Sequence, residues 1–266
     1  MKVGIAGFGS IGKPVAAALD NGIVGLTLTA ICVKDKNKAI RSMETLATPV
    51  PVVGPLELAE TCDIIVECVP KHAFLEIVKP AIEKAKKVIT VSGAGILAHP
   101  KVVELAKQNN SQIILATGAL LGLDAVRAAA EGEILSVQMK TRKPPRSLSG
   151  APYLIENNIS ISDLKEPLKV FDGTARQGAE GFPANVNVAA ALGLAGVGAD
   201  KTLLQIWADP ALERNTHSIE IEADSARLKF SIENVPSEEN PGTGKITALS
   251  VIATLRSLTT PLKIGT

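Results

Sequence analysis

The sequence predicts an α/β protein with two domains, the first built on a parallel sheet and the second, an α+β domain, on a largely antiparallel sheet. Two observations lead to this fold class. In the first half of the chain, short β-branched runs alternate with longer helical patterns, which is typical of βαβ units. After Gly118, apolar and polar residues alternate one by one, which is typical of strands with one solvated face. The main domain boundary is therefore predicted near residue 118.

The elements of the first half can be assigned from their composition. Five β-branched and apolar runs are predicted strands: Lys2–Ala6, Leu26–Val33, Asp63–Val69, Val88–Val91 and Gln112–Leu115. Most of them are apolar almost throughout, as expected for parallel strands covered by helices on both faces. The segments between them carry helical patterns: Ile11–Asn21, Pro55–Glu60, Ala73–Lys86 and Pro100–Gln108. This order of elements predicts a parallel sheet.

The second half has a different pattern. Leu135, Val137 and Met139 alternate with polar neighbours, and the same period of two recurs at 204–208, 217–221 and 228–232. We expect antiparallel strands here. Helices are predicted for Asp124–Glu131, Val186–Ala199 and Lys245–Leu258, and a loop for Arg142–Pro152. The last helix is expected to return to the first domain.

Composition excludes several classes of partner. Hydrophobic residues make up 46% and charged residues 21% of the 266 positions, which is enough apolar material for a folded globular protein. The net charge of +1 provides no basic excess for binding nucleic acid. No uncharged apolar run reaches the ~18 residues that span a bilayer. We therefore expect neither nucleic acid nor a membrane as a partner.

Cysteine and histidine spacing bear on compartment and metal binding. The three cysteines form no CxxC pair, and no secretory leader is recognised at the N-terminus, so we expect a reducing cytoplasm. The sequence has no HExxH motif and no two-histidine cluster. A protein-bound metal is therefore not expected.

A glycine motif follows the first predicted strand. Gly7, Gly9 and Gly12 have the GxGxxG spacing of a Rossmann dinucleotide-binding domain. Gly7 permits a tight turn, Gly9 lets a pyrophosphate approach the backbone, and Gly12 lets the helix lie close to the strand. Amide groups at the helix start, around Ser10 and Ile11, would hold the phosphate charge. The alternative is a glycine-rich turn in another kind of βα unit.

The end of the second predicted strand bears on which dinucleotide binds. An acidic residue here usually binds the ribose diol, and Asp35 is one candidate. If the strand ends at Val33, Lys34 and Lys36 could instead pair with a 2′-phosphate. A third possibility is that all three charges belong to a solvated turn. We expect both NAD and NADP to be accepted.

Three histidines are candidates for acid–base chemistry. His72 and His99 are expected to be local caps or surface groups. His217 shares strand parity with Ile219 and Ile221, so it should point to the covered face of its strand. It is either a structural core histidine or a general base near neutral pH. Cysteine chemistry and a GxSxG nucleophile are not expected.

Several segments together resemble the L-aspartate dehydrogenase family. They are NVNVAAA (185–191), the ADP tripeptide (208–210) with NTHSI (215–219), NVPSEENP (234–241) and TRKPP (141–145), and the glycine motif agrees with them. The resemblance covers nearly the whole chain in the same order. It is far more specific than the glycine motif alone.

The resemblance implies NAD(P)-dependent oxidative deamination of L-aspartate through iminoaspartate to oxaloacetate and ammonia, or the reverse amination. It also implies that His217 is catalytic and that Ala119 and Asn187 contact the nicotinamide cofactor. A homodimer and a place in amino-acid metabolism and NAD biosynthesis are expected. Residues 1–118 with about 242–266 would bind the dinucleotide, and 119–241 would supply the substrate and dimer contacts.

The two carboxylates of aspartate need donors, for which Arg142, Lys143 and Thr243 are candidates; the alternative is that they lie in an exposed loop. The chain also departs from the family, which tends to have Pro-Lys-Thr-Ser where this sequence has Pro241-Gly242-Thr243-Gly244. Two other functions remain open. One is another Rossmann oxidoreductase, similar to dihydrodipicolinate reductase or a sugar dehydrogenase, and the other is a non-catalytic dinucleotide sensor.

Overall fold

A computed structural model describes residues 1–183, 186–240 and 242–265. Asn185 and Pro241, which belong to the family-like segments, and Thr266 lie outside the described residues. The chain forms two compact units. The first comprises Met1–Ala116 and Thr247–Lys263, and the second comprises Thr117–Ile246 with the chain end from Ile264.

The first unit contains a five-stranded parallel sheet. Its strands are β1 (Lys2–Ala6), β2 (Thr27–Cys32), β3 (Ile64–Glu67), β4 (Lys87–Thr90) and β5 (Gln112–Leu115), in the order β2-β1-β3-β4-β5. Its helices are α1 (Gly12–Asp20), α2 (Lys36–Met43), α3 (Pro55–Thr61), α4 (Phe74–Glu83), α5 (Gly93–Ala98) and α6 (Lys101–Gln108). The predicted parallel Rossmann-type sheet is confirmed. The short helices α2 and α5 were not among the predicted helical segments.

Both faces of this sheet are covered by apolar side chains. Ile64 and Val66 of β3 join one core cluster, whereas Ile65 between them joins the other. Such alternation is what a strand buried on both faces requires, since successive side chains point to opposite sides. Val251 and Leu255, near the C-terminus, also belong to the first cluster.

The second unit contains a mixed sheet. Its strands are β6 (Ile134–Lys143), β7 (Leu168–Thr174), β8 (Thr202–Ala208), β9 (Asn215–Ala223) and β10 (Arg227–Asn234), in the order β10-β9-β6-β8-β7. All neighbours are antiparallel except β6 and β8, which are parallel. Its helices are α7 (Leu123–Ala129), α8 (Pro152–Glu156), α9 (Ala175–Gly181) and α10 (Asn187–Ala195), and α11 (Lys245–Ser257) begins here. The prediction of a largely antiparallel sheet is confirmed.

One expectation for this unit is wrong. The segment from Arg142 was predicted as a loop, but β6 continues through Arg142 and ends at Lys143. The next residue, Pro144, has no amide hydrogen to extend the ladder. The alternation of β6 therefore extends to its charged end. Thr141 and Lys143 lie on the buried face, and Arg142 lies on the exposed one. No helix of the described ranges is both long and apolar enough to cross a membrane.

Candidate active site

The glycine motif forms the turn between β1 and α1. Gly7 has a φ of +94°, which favours glycine, and its amide donates to the Cys32 carbonyl at 2.9 Å. A Cβ on Gly7 would lie 2.5 Å from the Cys68 carbonyl oxygen, and one on Gly12 would collide with the Gly7 carbonyl oxygen. These two glycines are thus needed to hold the helix against the strand, as the motif predicts.

Gly9 differs from the other two glycines of the motif. It is exposed, and no atom lies within 4 Å of the position a Cβ would take. Ser10 and Ile11 follow it, and Ile11 provides no side-chain cap to α1. The amides of the first helical turn are therefore not occupied by a capping side chain, which suits an incoming pyrophosphate. The loop fits a dinucleotide.

The end of β2 carries the charges that the sequence analysis weighed for the ribose. Asp35 is the N-cap of α2, and its Oδ1 accepts the Lys38 amide at 2.9 Å. Lys34 directs its Nζ to within 3.3 Å of His72 Nε2, and Lys36 is the first, exposed residue of α2. Asp35 thus caps α2 through one of its carboxylate oxygens, and the ammonium of Lys34 lies beside His72.

A buried carboxylate, Glu67, was not singled out from the sequence. It ends β3 and accepts hydrogen bonds from Thr90 Oγ1 at 2.5 Å, Ser92 Oγ at 3.2 Å and the Val69 amide at 2.9 Å. Burial raises the pKa of Glu67, and these three donors oppose the rise. Glu67 ties together the segments that follow β3 and β4. The sequence carries one signal for a buried carboxylate here, since Glu67 is a single acid directly after the apolar run Ile64–Val66.

The cysteines of the first unit do not offer a nucleophile. Cys32, Cys62 and Cys68 are free thiols, and burial raises the pKa of the Cys32 thiol to about 11. A thiol with so high a pKa is not ionised at neutral pH. Across residues 1–183, 186–240 and 242–265, no group of three or more His, Cys, Asp or Glu side chains could hold a metal ion.

The second unit contains a group of buried polar side chains, which we call the polar cluster: Thr141, Lys143, Asn215, His217 and Asn234. They lie on the buried face at one end of the sheet, where β6 ends, β9 begins and β10 ends. The strand register places His217 opposite Thr141 and Asn215 opposite Asn234. Directly opposed side chains in antiparallel strands have Cβ atoms roughly 5 Å apart, so the five form one group.

His217 is the most buried of the candidate catalytic side chains, with 2% of its surface exposed. Its Nδ1 lies 3.0 Å from Thr141 Oγ1. Burial, together with the positive charge of Lys143, lowers the pKa of His217 to about 3. The imidazole is therefore neutral at pH 7, and Thr141 fixes the orientation of its ring.

Lys143 shares the buried face with Thr141 and is 3% exposed, so the alternative that it lies in an exposed loop is wrong. Burial lowers its pKa to about 8. A buried cation is costly unless it is compensated by negative charge.

Arg142 is not brought to the polar cluster. Its guanidinium lies on the opposite face of β6 and forms an ion pair of 2.5 Å with Asp209, whose side chain is only 1% exposed. The Asp209 carboxylate also accepts the Ala211 amide at 3.0 Å. Arg142 thus compensates a buried acid that follows β8.

The backbone of Ala119, a predicted cofactor contact, approaches the polar cluster, and so does the backbone of Gly244. The carbonyl oxygen of Ala119 accepts a hydrogen bond from Asn234 Nδ2 at 3.1 Å. Gly244 packs on the same side chain, since a Cβ there would lie 2.9 Å from Asn234 Oδ1.

Two other predicted site residues, Thr243 and Asn187, lie in a turn and at the start of a helix of the second unit. Thr243 is half-buried in a turn, where its amide donates to the Asn240 carbonyl at 2.9 Å. Asn187 is the exposed first residue of α10.

Comparison with protein families assigns both parts of the chain. Residues 124–258 match the model for the C-terminal part of aspartate dehydrogenase. Residues 7–116 match the model for the NAD-binding domain of homoserine dehydrogenase.

Individual proteins agree with the family matches. The chain is 54% identical to L-aspartate dehydrogenase of Bradyrhizobium diazoefficiens, with 100% of this chain and 94% of that protein covered. It is 49% identical to L-aspartate dehydrogenase 3 of Bordetella bronchiseptica, covering 99% and 97%. The crystal structure of aspartate dehydrogenase from Thermotoga maritima superposes with a TM-score of 0.76 at 25% identity, covering 100% of this chain and 99% of that one.

Proposed function

This chain belongs to the L-aspartate dehydrogenase family, and we propose that it catalyses NAD(P)-dependent oxidative deamination of L-aspartate through iminoaspartate to oxaloacetate and ammonia, or the reverse amination. The observation that carries the proposal is the buried pair of His217 and Thr141 beside the buried cation Lys143. This group offers a neutral base and a carboxylate-binding charge on one face of one sheet.

The cofactor supplies hydride chemistry, since bound NAD(P)⁺ accepts the hydride that leaves Cα of aspartate. The Gly7–Gly12 turn, with Ser10 and Ile11, holds the pyrophosphate in our proposal. Support comes from the open space at Gly9 and the uncapped start of α1. Ala119 and Asn187 contact the nicotinamide, as the family resemblance implies.

Lys143 binds a substrate carboxylate in this proposal. Its ammonium is buried, and a carboxylate placed beside it in a low-dielectric site raises its pKa and forms a strong, charge-assisted contact. Thr243 remains a candidate for the second carboxylate. Arg142 is excluded from our proposed substrate contacts because its guanidinium pairs with Asp209 on the other face of the strand.

His217 accepts the proton released when the substrate amine is oxidised, or activates the water that attacks the imine. If Nδ1–H donates to Thr141 Oγ1, Nε2 is the ring nitrogen that accepts this proton. In the protein without substrate, the low pKa of His217 keeps its ring neutral. Two substrate carboxylates bring negative charge near it, which raises its pKa toward neutrality and makes it a competent acceptor.

A substrate panel tests the proposal. We expect absorbance at 340 nm to rise with NAD or NADP and L-aspartate, and not with D-aspartate, L-glutamate, L-alanine or L-malate. Reduction with L-malate but not L-aspartate would favour a hydroxy-acid oxidoreductase, and binding of the dinucleotide without any turnover would favour the sensor.

Variants of the His217 pair test the mechanism. His217→Ala should lower kcat by roughly 10² to 10⁴, the usual range for a general base, and leave cofactor affinity unchanged. Thr141→Val removes the hydroxyl that orients the ring and should lower kcat less, whereas Thr141→Ser keeps that hydroxyl and should retain most activity. Near wild-type turnover in His217→Ala at saturating substrate would assign the histidine a structural role.

We further infer a homodimer that uses the exposed face of the second sheet. Leu203 on this face is 48% exposed, and Lys140 Nζ lies 5.8 Å from the centre of the Trp207 ring on the same face. Exposed apolar residues on an open sheet support a protein partner. Light scattering of the wild-type protein and of Leu203→Glu tests this, with a dimer expected only for the former.

The cellular setting follows from the same proposal. Free thiols at all three cysteines are in keeping with a reducing cytoplasm. An iminoaspartate intermediate would connect the enzyme to amino-acid metabolism and to NAD biosynthesis. Isotope tracing from labelled aspartate in cells with and without the enzyme tests that connection.

A further inference from the structure

We propose that the side-chain carbonyl oxygens of Asn234 and Asn215 form a subsite for the amino group of the substrate, and for ammonia in the reverse direction. The inference rests on the proposed function, which it deepens by assigning the group that distinguishes an amino acid from a hydroxy acid. Both residues belong to the polar cluster, and they face each other directly across β10 and β9.

The orientation of the Asn234 amide is determined by its surroundings. Its Nδ2 donates to the carbonyl oxygen of Ala119 at 3.1 Å. The flipped amide would set two oxygens against each other, so Oδ1 must point the other way. Asn234 is 4% exposed, and within the described part of the chain its buried Oδ1 has no hydrogen-bond partner.

Asn215 repeats the feature on the next strand. It is 8% exposed, and its buried Oδ1 also has no hydrogen-bond partner among the described residues. Buried polar atoms in native proteins are nearly always paired, and an unpaired one commonly marks the place of a ligand. A ligand that donates more than one hydrogen bond would satisfy two such acceptors on opposed residues of one sheet face.

The chemistry of the acceptors selects the nitrogen of the substrate. A carboxylate offers only acceptors and would be repelled by two amide oxygens, whereas an amine or an ammonium ion donates two or more hydrogen bonds. As the amine becomes an iminium, positive charge develops on the nitrogen, and two fixed carbonyl dipoles stabilise it. His217 lies two residues from Asn215 on the same face of β9, so the proton acceptor is adjacent to the nitrogen that loses the proton.

The same arrangement predicts a preference for L-aspartate over L-malate. A hydroxyl group can donate to only one of the two oxygens, which leaves the other buried and unpaired. Sites built for a hydrogen-bonding group reject the analogue that lacks it, because the unpaired partner retains its desolvation cost. Amino-acid specificity therefore resides in β9 and β10, apart from the charge of Lys143.

The test compares L-aspartate with succinate, which has both carboxylates and no amino group. Dissociation constants are measured by calorimetry on the protein saturated with NADH or NADPH, so that no turnover is needed. The unmodified protein should bind L-aspartate at least tenfold more tightly than succinate. Asn215→Leu and Asn234→Leu should each remove most of this difference, with succinate affinity unchanged. Thr202→Val, which alters another buried polar side chain of the sheet, should keep the full difference.

Steady-state amination gives a second readout. Both Leu variants should raise the KM for ammonium by roughly 10- to 100-fold, in line with the cost of leaving a charged donor unpaired, while the KM for oxaloacetate changes less than about threefold. The hydrogen bond to the Ala119 carbonyl comes from Asn234, so the Asn215 variant keeps it and separates the subsite from cofactor placement. An unchanged ammonium KM and an unchanged preference over succinate in active Leu variants would overturn the subsite alone. An unmodified protein that neither turns over L-aspartate nor binds it would overturn the proposed function and the subsite together.

Discussion

The neutral, buried His217 should make the second unit sensitive to acid. In the unfolded chain the imidazole titrates at its ordinary pKa of 6.5, whereas in the folded protein its pKa is about 3. Between these values the unfolded state holds one more proton than the folded state. The free energy of unfolding therefore falls as the pH falls, and the stability contributed by the neutral ring is complete only above pH 6.5.

The magnitude follows from proton linkage. One proton taken up on unfolding changes the free energy of unfolding by about 1.4 kcal/mol per pH unit. Lowering the pH from about 6 to about 4 should thus cost roughly 2 to 3 kcal/mol through His217 alone. Other groups also titrate in this range, so the quantity to measure is the difference between the wild-type protein and His217→Gln, which has no ionisable group at this position.

Urea denaturation provides the assay. The chain has one tryptophan, Trp207 on β8, and its fluorescence reports on unfolding of the second unit. Whatever the variant's stability at pH 7, the wild-type protein should lose roughly 2 to 3 kcal/mol more than His217→Gln between about pH 6 and pH 4. Two stability curves that stay parallel over this range would refute the reasoning, because they would mean that His217 is already protonated in the folded protein or is exposed to solvent.

Three further outcomes are expected. Gly9→Val should leave the melting temperature of the free protein unchanged, because nothing lies within 4 Å of the new Cβ. The same variant should raise the cofactor dissociation constant, measured by fluorescence titration, at least tenfold. An unchanged constant would rule out this loop as the phosphate site. Asn215→Leu should raise the free energy of unfolding of the ligand-free protein by about 1 kcal/mol in urea titrations, because it removes an unpaired buried oxygen, and a loss of stability would indicate that Oδ1 is paired. Wild type should accept NAD and NADP without a large preference, and Lys34→Ala should lower kcat/KM for NADP a few-fold at low salt with little change for NAD; an NAD preference above about a hundredfold would instead assign the ribose to Asp35.

The regular parts of the fold could be predicted because their patterns are local. The strand Gln112–Leu115 was bounded correctly, since an apolar run between turn residues is visible in a single segment. The strand Leu168–Thr174 was not predicted, because a register shift between Lys169 and Phe171 breaks its period of two. The helix Ala175–Gly181 was also missed, since its two glycines hide the capping box of Thr174 and Gln177.

The candidate site could be predicted only in part for a related reason. Strand parity was enough to indicate that His217 is buried, because that inference needs only neighbouring residues. The role of Asn215 and Asn234 depends on their being opposite each other, and the register of two strands is not encoded in either strand alone. Lys143 was predicted to lie in a loop because the stretch from Arg142 is polar and contains Pro144 and Pro145. Its burial follows from a strand that continues one residue past the charged Arg142.

The sequence separation within the polar cluster has a consequence for biosynthesis. Thr141 and His217 are 76 positions apart, and β6 pairs with β9 on one side and β8 on the other. The central strand of this sheet therefore leaves the ribosome well before either of its neighbours and cannot complete its hydrogen-bond ladder until they follow. Such non-local pairing is slow to form, and unpaired strand edges invite association with other chains. Lys143 is thus synthesised long before β9 is available to bury it. Until β9 has been synthesised, this lysine places a positive charge at the end of the unpaired strand β6, which discourages aggregation.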